Sequence, residues 1–127
     1  MPNLTYACVL TRDIDRLAAF YRTVLQLEPT TRPGYVEFPT QPGIFALWSM
    51  DELQPLVGFA VTETLAAGAV MLEFRVDDVD AEYARLQALQ ERKVDIVMAP
   101  TTLPWGNRSI YFRDPDGNLI NFFTTVG

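Results

Sequence analysis

Residues 111–123 read Y-F-R-D-P-D-G-N-L-I-N-F-F, two aromatic-rich runs joined by a D-P-D-G-N segment. Pro115 presets φ for a turn, and Gly117 supplies a positive φ at no steric cost. The stretch therefore predicts a β-hairpin. On its second strand Asn121 and Phe123 share one face, because strand side chains alternate with a period of two. One face of this strand has to pack on a core, and the other is free to line a site.

The composition indicates one compact domain without a nucleic-acid partner. The chain has 127 residues, of which 49% are hydrophobic and 12% aromatic, which is enough for a core of its own. The formal charge is −6, and no basic run offsets it. Affinity for a phosphate backbone comes mainly from Lys and Arg, so we expect no nucleic-acid partner.

The N-terminal residues lack a basic segment followed by an apolar one, and no stretch approaches the roughly 20 apolar residues of a membrane span. We therefore expect a cytoplasmic protein with no membrane partner. The single cysteine, Cys8, has no partner for an internal disulfide, which fits a reducing compartment.

The sequence contains no histidine. This excludes Ser-His and Cys-His nucleophilic pairs, a histidine general base, and every zinc, iron, nickel or copper site that uses imidazole. Most familiar catalytic constellations are thereby ruled out.

A structural repeat divides the chain. Residues 4–11 predict a strand, and Asp13 stands at an N-cap position before a helix with apolar residues at three- and four-residue spacing. Residues 69–76 predict another strand, followed by Asp78 as the cap of a second amphipathic helix. The order of strand, capping Asp and helix thus occurs twice, 65 residues apart.

Further strands complete both halves. β-branched, aromatic and aliphatic residues predict strands at 34–38, 44–50 and 94–98. We also predict a loop at 100–106 and a short helical turn at 62–67. We therefore predict one α+β domain of two βαβββ modules, about 1–55 and about 69–127, joined at about 56–68. One module has too little core to stand alone, so the two are expected to share one curved mixed sheet with helices on its outer face.

Three segments carry a resemblance to a known family: the F-R-D-P-D-G-N turn, the first helix D-I-D-R-L-A-A-F-Y-R-T-V-L-Q-L-E-P, and F-R-V-D-D-V-D-A-E-Y at the start of the second module. Together they resemble the vicinal oxygen chelate superfamily, which includes glyoxalase I, extradiol dioxygenases, fosfomycin-resistance proteins and bleomycin-binding proteins. The resemblance implies a fold that covers nearly the whole chain, but fold alone does not fix function.

The resemblance also implies up to four metal ligands, from the first and last strands of each module. Those positions fall on Tyr6, Met71 and Asn121 and near Ala46, and none is His, Asp or Glu. A phenol, a thioether, an amide and a methyl do not suit a divalent cation. We therefore expect no metal and no cofactor. The alternative is a displaced carboxylate site that uses Glu37, Glu73 or Asp51.

The strand faces that carry these positions predict a small-molecule pocket on the concave side of the sheet. The candidate ligand-binding residues are Tyr6, Trp48, Met50, Met71, Glu73, Arg75, Trp105, Tyr111, Asn121 and Phe123. For each aromatic or Met residue the competing interpretation is ordinary core packing. For Glu73 and Arg75 the competing interpretation is a structural ion pair. Cys8 is interpreted as a small buried apolar residue.

The favoured interpretation is a metal-free small-molecule-binding protein, similar in kind to the drug-binding resistance proteins, which sequester an antibiotic. An acidic cleft lined by aromatics favours a planar or cationic ligand. The first alternative is a lyase, isomerase or dioxygenase of the same superfamily that uses a non-standard metal site or acid–base work by Glu73 and Tyr111. The second is an interaction module whose cavity its own side chains fill. We also expect a homodimer, because members of this family commonly pair.

Overall fold

The computed structural model describes residues 5–57, 70–90 and 93–126. The chain divides into two compact units, Met1–Ala67 and Gly68–Gly127, here called unit 1 and unit 2. The helical turn predicted at 62–67 lies outside the described residues, as does most of the predicted connection at 56–68.

In its described residues, 5–57, unit 1 has one four-stranded sheet and two helices. Its elements are β1 (Tyr6–Thr11), α1 (Ile14–Leu25), β2 (Thr30–Arg32), β3 (Tyr35–Phe38), β4 (Ile44–Ser49) and α2 (Met50–Val57). The strand order is β1-β4-β3-β2, with β1 parallel to β4 and the other pairs antiparallel.

Unit 2 repeats this arrangement. Its elements are β5 (Met71–Arg75), α3 (Val79–Gln87), β6 (Asp95–Thr102), β7 (Asn107–Arg113) and β8 (Leu119–Thr125). The order is β5-β8-β7-β6, again with the first strand parallel to the last. The predicted α+β class and the two βαβββ modules are confirmed. The strands hydrogen-bond as two four-stranded sheets, one in each unit.

Both predicted N-caps are present. The Asp13 carboxylate accepts a hydrogen bond from the Arg16 backbone N–H at 3.2 Å, and the Asp78 carboxylate accepts one from Ala81 N–H at 3.0 Å. Each cap satisfies an N–H that the first helical turn leaves without a partner, which is typically worth about 1 kcal/mol.

The core of unit 1 lies between α1 and the sheet. Leu17, Phe20, Tyr21 and Val24 form the buried stripe of α1. Tyr21 is fully buried, and its ring lies 4.7 Å from that of Phe45 on β4 in an edge-to-face arrangement. Burying side chains of this size contributes about 1.5–3 kcal/mol each, so this stripe fixes α1 to one face of the sheet. The opposite face is left for a site.

The core of unit 2 likewise lies between its helix and its sheet. Val79 and Leu86 of α3 are buried, as are the alternate residues Ile110 and Phe112 on β7. The ring of Phe112 lies 5.0 Å from that of Phe122 on β8. Phe112 therefore belongs to the buried side of the sheet, as its position next to Tyr111 predicts.

The predicted hairpin is present as β7 and β8, and a buried carboxylate holds its turn. Asp114 Oδ1 accepts hydrogen bonds from the backbone N–H groups of Asp116 and Asn118, both at 2.9 Å. Its Oδ2 accepts one from the Asn118 side chain at 2.7 Å. Gly117 has φ of 88°, the left-handed conformation that the turn requires.

Several boundaries differ from the sequence prediction. The strand predicted to reach Met50 ends at Ser49, because the Ser49 hydroxyl accepts a hydrogen bond from Glu52 N–H at 3.3 Å and begins α2. Pro55 in the last turns of α2 concealed this helix from the sequence pattern. The loop predicted at 100–106 is shorter, since β6 continues to Thr102. Among the described residues, no helix has the length and apolar character that crossing a membrane requires.

Candidate functional site

A cavity of about 450 Å³ opens on the face of the unit 1 sheet. Four strands and the β2–β3 turn contribute to it: Tyr6 and Cys8 from β1, Arg32 and Pro33 from β2 and the turn, Tyr35 and Glu37 from β3, and Trp48 from β4. Its volume falls in the range of small-molecule sites, about 300–1,000 Å³.

Strand register explains why these residues meet. Trp48 lies opposite Tyr35 on one side, and Tyr35 in turn lies opposite Arg32. One row further along, Ala46 stands between Cys8 and Glu37. Ala46 itself is fully buried, and the larger side chains of these two rows form the surface of the cavity.

The cavity contains an aromatic pair, Tyr35 and Trp48, and a hydrogen bond holds the hydroxyl of its tyrosine. The rings of Tyr35 and Trp48 lie 4.8 Å apart, centroid to centroid, at an interplanar angle of 56°. The Tyr35 hydroxyl donates a hydrogen bond of 2.7 Å to Glu37 Oε1. This bond fixes the phenol ring and leaves the second carboxylate oxygen of Glu37 available to another donor.

Two groups in the cavity have raised pKa values. Burial, followed by the hydrogen bond to Glu37 and the negative charge of that carboxylate, raises the pKa of Tyr35 well above its usual range. Cys8 is exposed, so the expectation of a buried apolar residue is wrong. Partial desolvation of its thiol and the charge of Glu37 nevertheless raise the pKa of Cys8. Both groups are therefore protonated near neutral pH, so neither the Cys8 thiolate nor the Tyr35 phenolate is available there.

The unit 2 sheet presents a more polar face. Asn121 lies opposite Glu73 on β5 and Tyr111 on β7, and its side-chain N–H donates to Glu73 Oε1 at 3.0 Å. The Asn121 Oδ1 atom is buried without a hydrogen-bond partner among the described residues. Arg75 lies over the ring of Phe123, 5.8 Å from its centroid. Glu73 and Arg75 do not form the predicted ion pair with each other in the described part of the chain. Glu73 instead pairs with Asn121, and Arg75 contacts the ring of Phe123.

The predicted site residues are divided between the sheets of the two units. Tyr6 and Trp48 lie together at the unit 1 cavity, whereas Met71, Glu73, Arg75, Tyr111, Asn121 and Phe123 belong to the unit 2 sheet. Met50 starts α2 rather than extending the face of β4. Trp105 lies in the turn between β6 and β7 and is 68% exposed.

Sequence reasoning missed Arg32, Pro33 and Tyr35 as cavity residues. The signal for Tyr35 was present, because Tyr35 and Glu37 alternate with the buried Val36 and Phe38 and therefore share the open face. Arg32 ends a strand of three residues, β2, which is too short for its alternation to be recognised.

The residues at the family's ligand positions do not fit a metal ion. Tyr6, Ala46, Met71 and Asn121 offer a phenol, a methyl, a thioether and an amide, and such a set lacks the carboxylate, imidazole or thiolate that divalent cations require. Within residues 5–57, 70–90 and 93–126, no three Asp, Glu or Cys side chains converge as a metal site would need.

Comparison with known proteins agrees with this architecture. The family model of the Glyoxalase/Bleomycin resistance protein/Dioxygenase superfamily matches residues 3–122. An uncharacterized protein of Bacillus subtilis (strain 168), YwbC, is 29% identical over 129 residues, which cover 95% of this chain and 96% of that protein.

Two solved structures illustrate the likeness. A glyoxalase/bleomycin resistance protein/dioxygenase from Nocardioides superposes with a TM-score of 0.80 at 29% identity, covering 99% of this chain and 85% of its own. A lactoylglutathione lyase from Agrobacterium tumefaciens superposes with a TM-score of 0.75 at 27% identity, covering 95% of this chain and 92% of its own. The family match over residues 3–122, together with the repeated βαβββ units, shows that the chain belongs to the glyoxalase/bleomycin resistance protein/dioxygenase superfamily.

Proposed function

We propose that the protein binds a planar small molecule in the unit 1 cavity and acts by sequestering it, as a drug-binding resistance protein sequesters an antibiotic. The observation that carries the proposal is the Tyr35–Trp48 pair, whose rings lie 4.8 Å apart beside a cavity of about 450 Å³. Aromatic walls supply much contact area at low cost in side-chain entropy, which is typical of small-molecule sites.

The protonation states of the cavity favour binding over chemical conversion. Cys8 and Tyr35 are potential nucleophiles of this cavity, and both have raised pKa values. Glu37 is the carboxylate of the cavity, and one of its two oxygens accepts the hydrogen bond of Tyr35. A cavity without an activated nucleophile or a metal ligand set is suited to holding its ligand unchanged.

A single-tryptophan variant tests the proposal directly. The chain has two tryptophans, and replacing the exposed Trp105 by Phe leaves Trp48 as the only indole reporter. We expect planar aromatic compounds from a screening library to quench or shift Trp48 fluorescence in a saturable way. Mass spectrometry of the recovered ligand is expected to show the mass that was added.

Two results would contradict the proposal. One is a screen in which no compound alters Trp48 fluorescence while the protein remains folded. The other is recovery of a converted ligand, which would replace sequestration by catalysis. The matched control is Trp48→Phe in the otherwise unchanged chain, in which only Trp105 emits and no ligand-dependent change is expected.

The second candidate is an enzyme of the lyase, isomerase or dioxygenase type, and the unit 2 face supports it. There the Glu73 carboxylate, the Asn121 amide and Tyr111 occupy one row of the sheet. Glu73 can move a proton if a substrate reaches this face. Turnover that Glu73→Gln abolishes and Trp48→Phe leaves intact would favour this candidate over sequestration.

A further inference from the structure

We infer that the ligand of the unit 1 cavity is a planar aromatic acid and that Arg32 pairs with its acidic group. This inference rests on the proposed function and specifies its ligand class. It replaces the planar or cationic ligand expected from composition by one whose charge is negative.

The placement of Arg32 is the first support. Arg32, Tyr35 and Trp48 lie in one row across β2, β3 and β4, because Arg32 pairs with Tyr35 and Tyr35 pairs with Trp48. All three line the cavity. A flat ring that contacts the aromatic pair therefore has a guanidinium at the β2 end of the same row.

The availability of Arg32 is the second support. A guanidinium nitrogen of Arg22 lies 2.8 Å from a carboxylate oxygen of Glu28, and one of Arg108 lies 2.8 Å from a carboxylate oxygen of Asp80. Among residues 5–57, 70–90 and 93–126, by contrast, no carboxylate lies within 4.0 Å of the Arg32 guanidinium. Arginine presents a planar fork of donors that matches a carboxylate or sulfonate in two parallel hydrogen bonds.

Glu37 does not remove this preference, although it places a negative charge in the same cavity. One of its oxygens accepts the Tyr35 hydroxyl at 2.7 Å, and its other oxygen can accept an N–H or O–H from the ligand. Glu37 and Arg32 lie on adjacent strands but one row apart, since Glu37 pairs with Thr30. The cavity thus offers an acceptor and a cationic donor at different points along a planar ligand.

Two fluorescent probes that differ in one group test the inference. The probe 8-anilinonaphthalene-1-sulfonate carries a sulfonate and an N–H, and N-phenyl-1-naphthylamine has the same rings and N–H without the sulfonate. In the Trp105→Phe protein, we expect the sulfonate probe to bind at least about tenfold more tightly, as a charge-assisted pair typically provides. Quenching of Trp48 by energy transfer to either probe reports its binding.

Arg32→Gln is expected to weaken the sulfonate probe about tenfold and to leave the neutral probe within about twofold. Retained binding of the neutral probe shows that the cavity is still folded. Arg32→Lys is expected to restore part of the difference, because it keeps the charge but loses the fork. The matched control is Arg12→Gln, which makes the same charge change at a side chain that is 77% exposed and outside the cavity lining.

Each other outcome overturns a specific claim. If Arg12→Gln weakens the sulfonate probe as much as Arg32→Gln, net charge and not Arg32 determines binding. If Arg32→Gln weakens both probes equally, Arg32 only supports the cavity wall. If the planar cation proflavine binds more tightly than the sulfonate probe, the ligand is a cation. If no probe quenches Trp48, the proposed function fails, and the inference fails with it.

Discussion

The rings of Tyr35 and Trp48 lie 4.8 Å apart across two neighbouring strands, tilted by 56°. Their backbones pair directly in the register of β3 with β4, so the contact follows from the sheet itself and not from a flexible loop. A site built on paired strands is held in place before a ligand arrives, which lowers the entropy cost of binding. The same pair provides the means to test both the fold and the proposed function.

Tyr35 is predicted to titrate above the usual range of a tyrosine. Burial and the hydrogen bond to Glu37 raise its pKa, so the folded protein holds this proton more tightly than the unfolded chain, whose tyrosine pKa is about 10. The stabilising contribution is therefore complete below about pH 10 and is lost as the pH rises further toward the folded-state pKa. Absorbance at 295 nm, compared between the wild type and Tyr35→Phe, isolates this one phenol.

Glu37→Gln is the control for that titration. It removes the negative charge and keeps a carbonyl acceptor for the hydroxyl, so the Tyr35 transition is expected to move toward lower pH. An unchanged transition in Glu37→Gln would mean that burial alone raises the pKa.

Asp114 is predicted to be the most sensitive residue of the β7–β8 turn. Its carboxylate is 5% exposed and accepts hydrogen bonds from the Asp116 backbone, the Asn118 backbone and the Asn118 side chain. Asp114→Ala leaves these buried donors unpaired, and we expect it to lower the free energy of unfolding by about 2–4 kcal/mol. Asp116→Ala, two positions away, is expected to cost less than about 1 kcal/mol by urea denaturation. Equal costs for the two would show that the buried carboxylate does not hold the turn.

Much of the fold was readable because local signals and the tertiary fold agree. The Asp13 and Asp78 caps, the apolar stripes that follow them and the D-P-D-G-N turn each predict the element that is present. The helix α2 was missed because Pro55 reads as a helix breaker, although Ser49 and Glu52 form an N-terminal helix signature just before it. The observed strand boundaries differ from the predicted ones by a few residues. At these places a helix cap or a pairing strand, and not residue preference, determines where the strand ends.

The site was less readable, and the reason is physical. Alternation assigns Trp48 and Tyr6 to the open face, but it does not tell which neighbouring strand lies beside them. The pairing of β3 with β4 and of β2 with β3 brings Tyr35 and Arg32 to the cavity, and this pairing is long-range information. The metal expectation rests on residue types alone and stays a prediction.

The purified, untagged protein is predicted to contain no stoichiometric transition metal. The reason is the donor set at the family's ligand positions, where Ala46 offers no donor and Asn121 offers only a neutral amide. Elemental analysis by inductively coupled plasma mass spectrometry checks this after purification in metal-supplemented medium. About one equivalent of metal, lost on dialysis against a chelator together with probe binding, would show that another ligand set is at work.

A homodimer is predicted in solution. Strand β1 lies at an edge of the unit 1 sheet, and its first residues, Tyr6, Ala7 and Cys8, are exposed. A free sheet edge is a liability that a partner chain removes, and two-fold pairing is the commonest way to do so. Light scattering at micromolar concentration measures the mass directly, and the mass of one chain, 14.3 kDa, would contradict the prediction.

Trp48→Ala is predicted to separate binding from stability. Trp48 is half-buried at the cavity and its ring contacts Tyr35, so the truncation removes an aromatic wall that faces the ligand. We expect the sulfonate probe to lose about 1–3 kcal/mol of binding free energy, as aromatic anchors in binding pockets do. Because the indole in this variant is gone, the enhancement of probe fluorescence measures the affinity.

The stability of the same variant decides between a cavity and a packed core. An open cavity has no close-packed atoms on the ligand side of the indole, so Trp48→Ala is expected to lower the unfolding free energy by less than about 2 kcal/mol. The comparison variant is Trp105→Ala, whose indole is 68% exposed and whose loss is expected to change neither binding nor stability appreciably. A stability loss of about 3–5 kcal/mol in Trp48→Ala, the range for emptying a packed core position, would mean that Trp48 fills this space itself. Together with the absence of any bound probe in the wild type, that result would favour an interaction module over a ligand-binding protein.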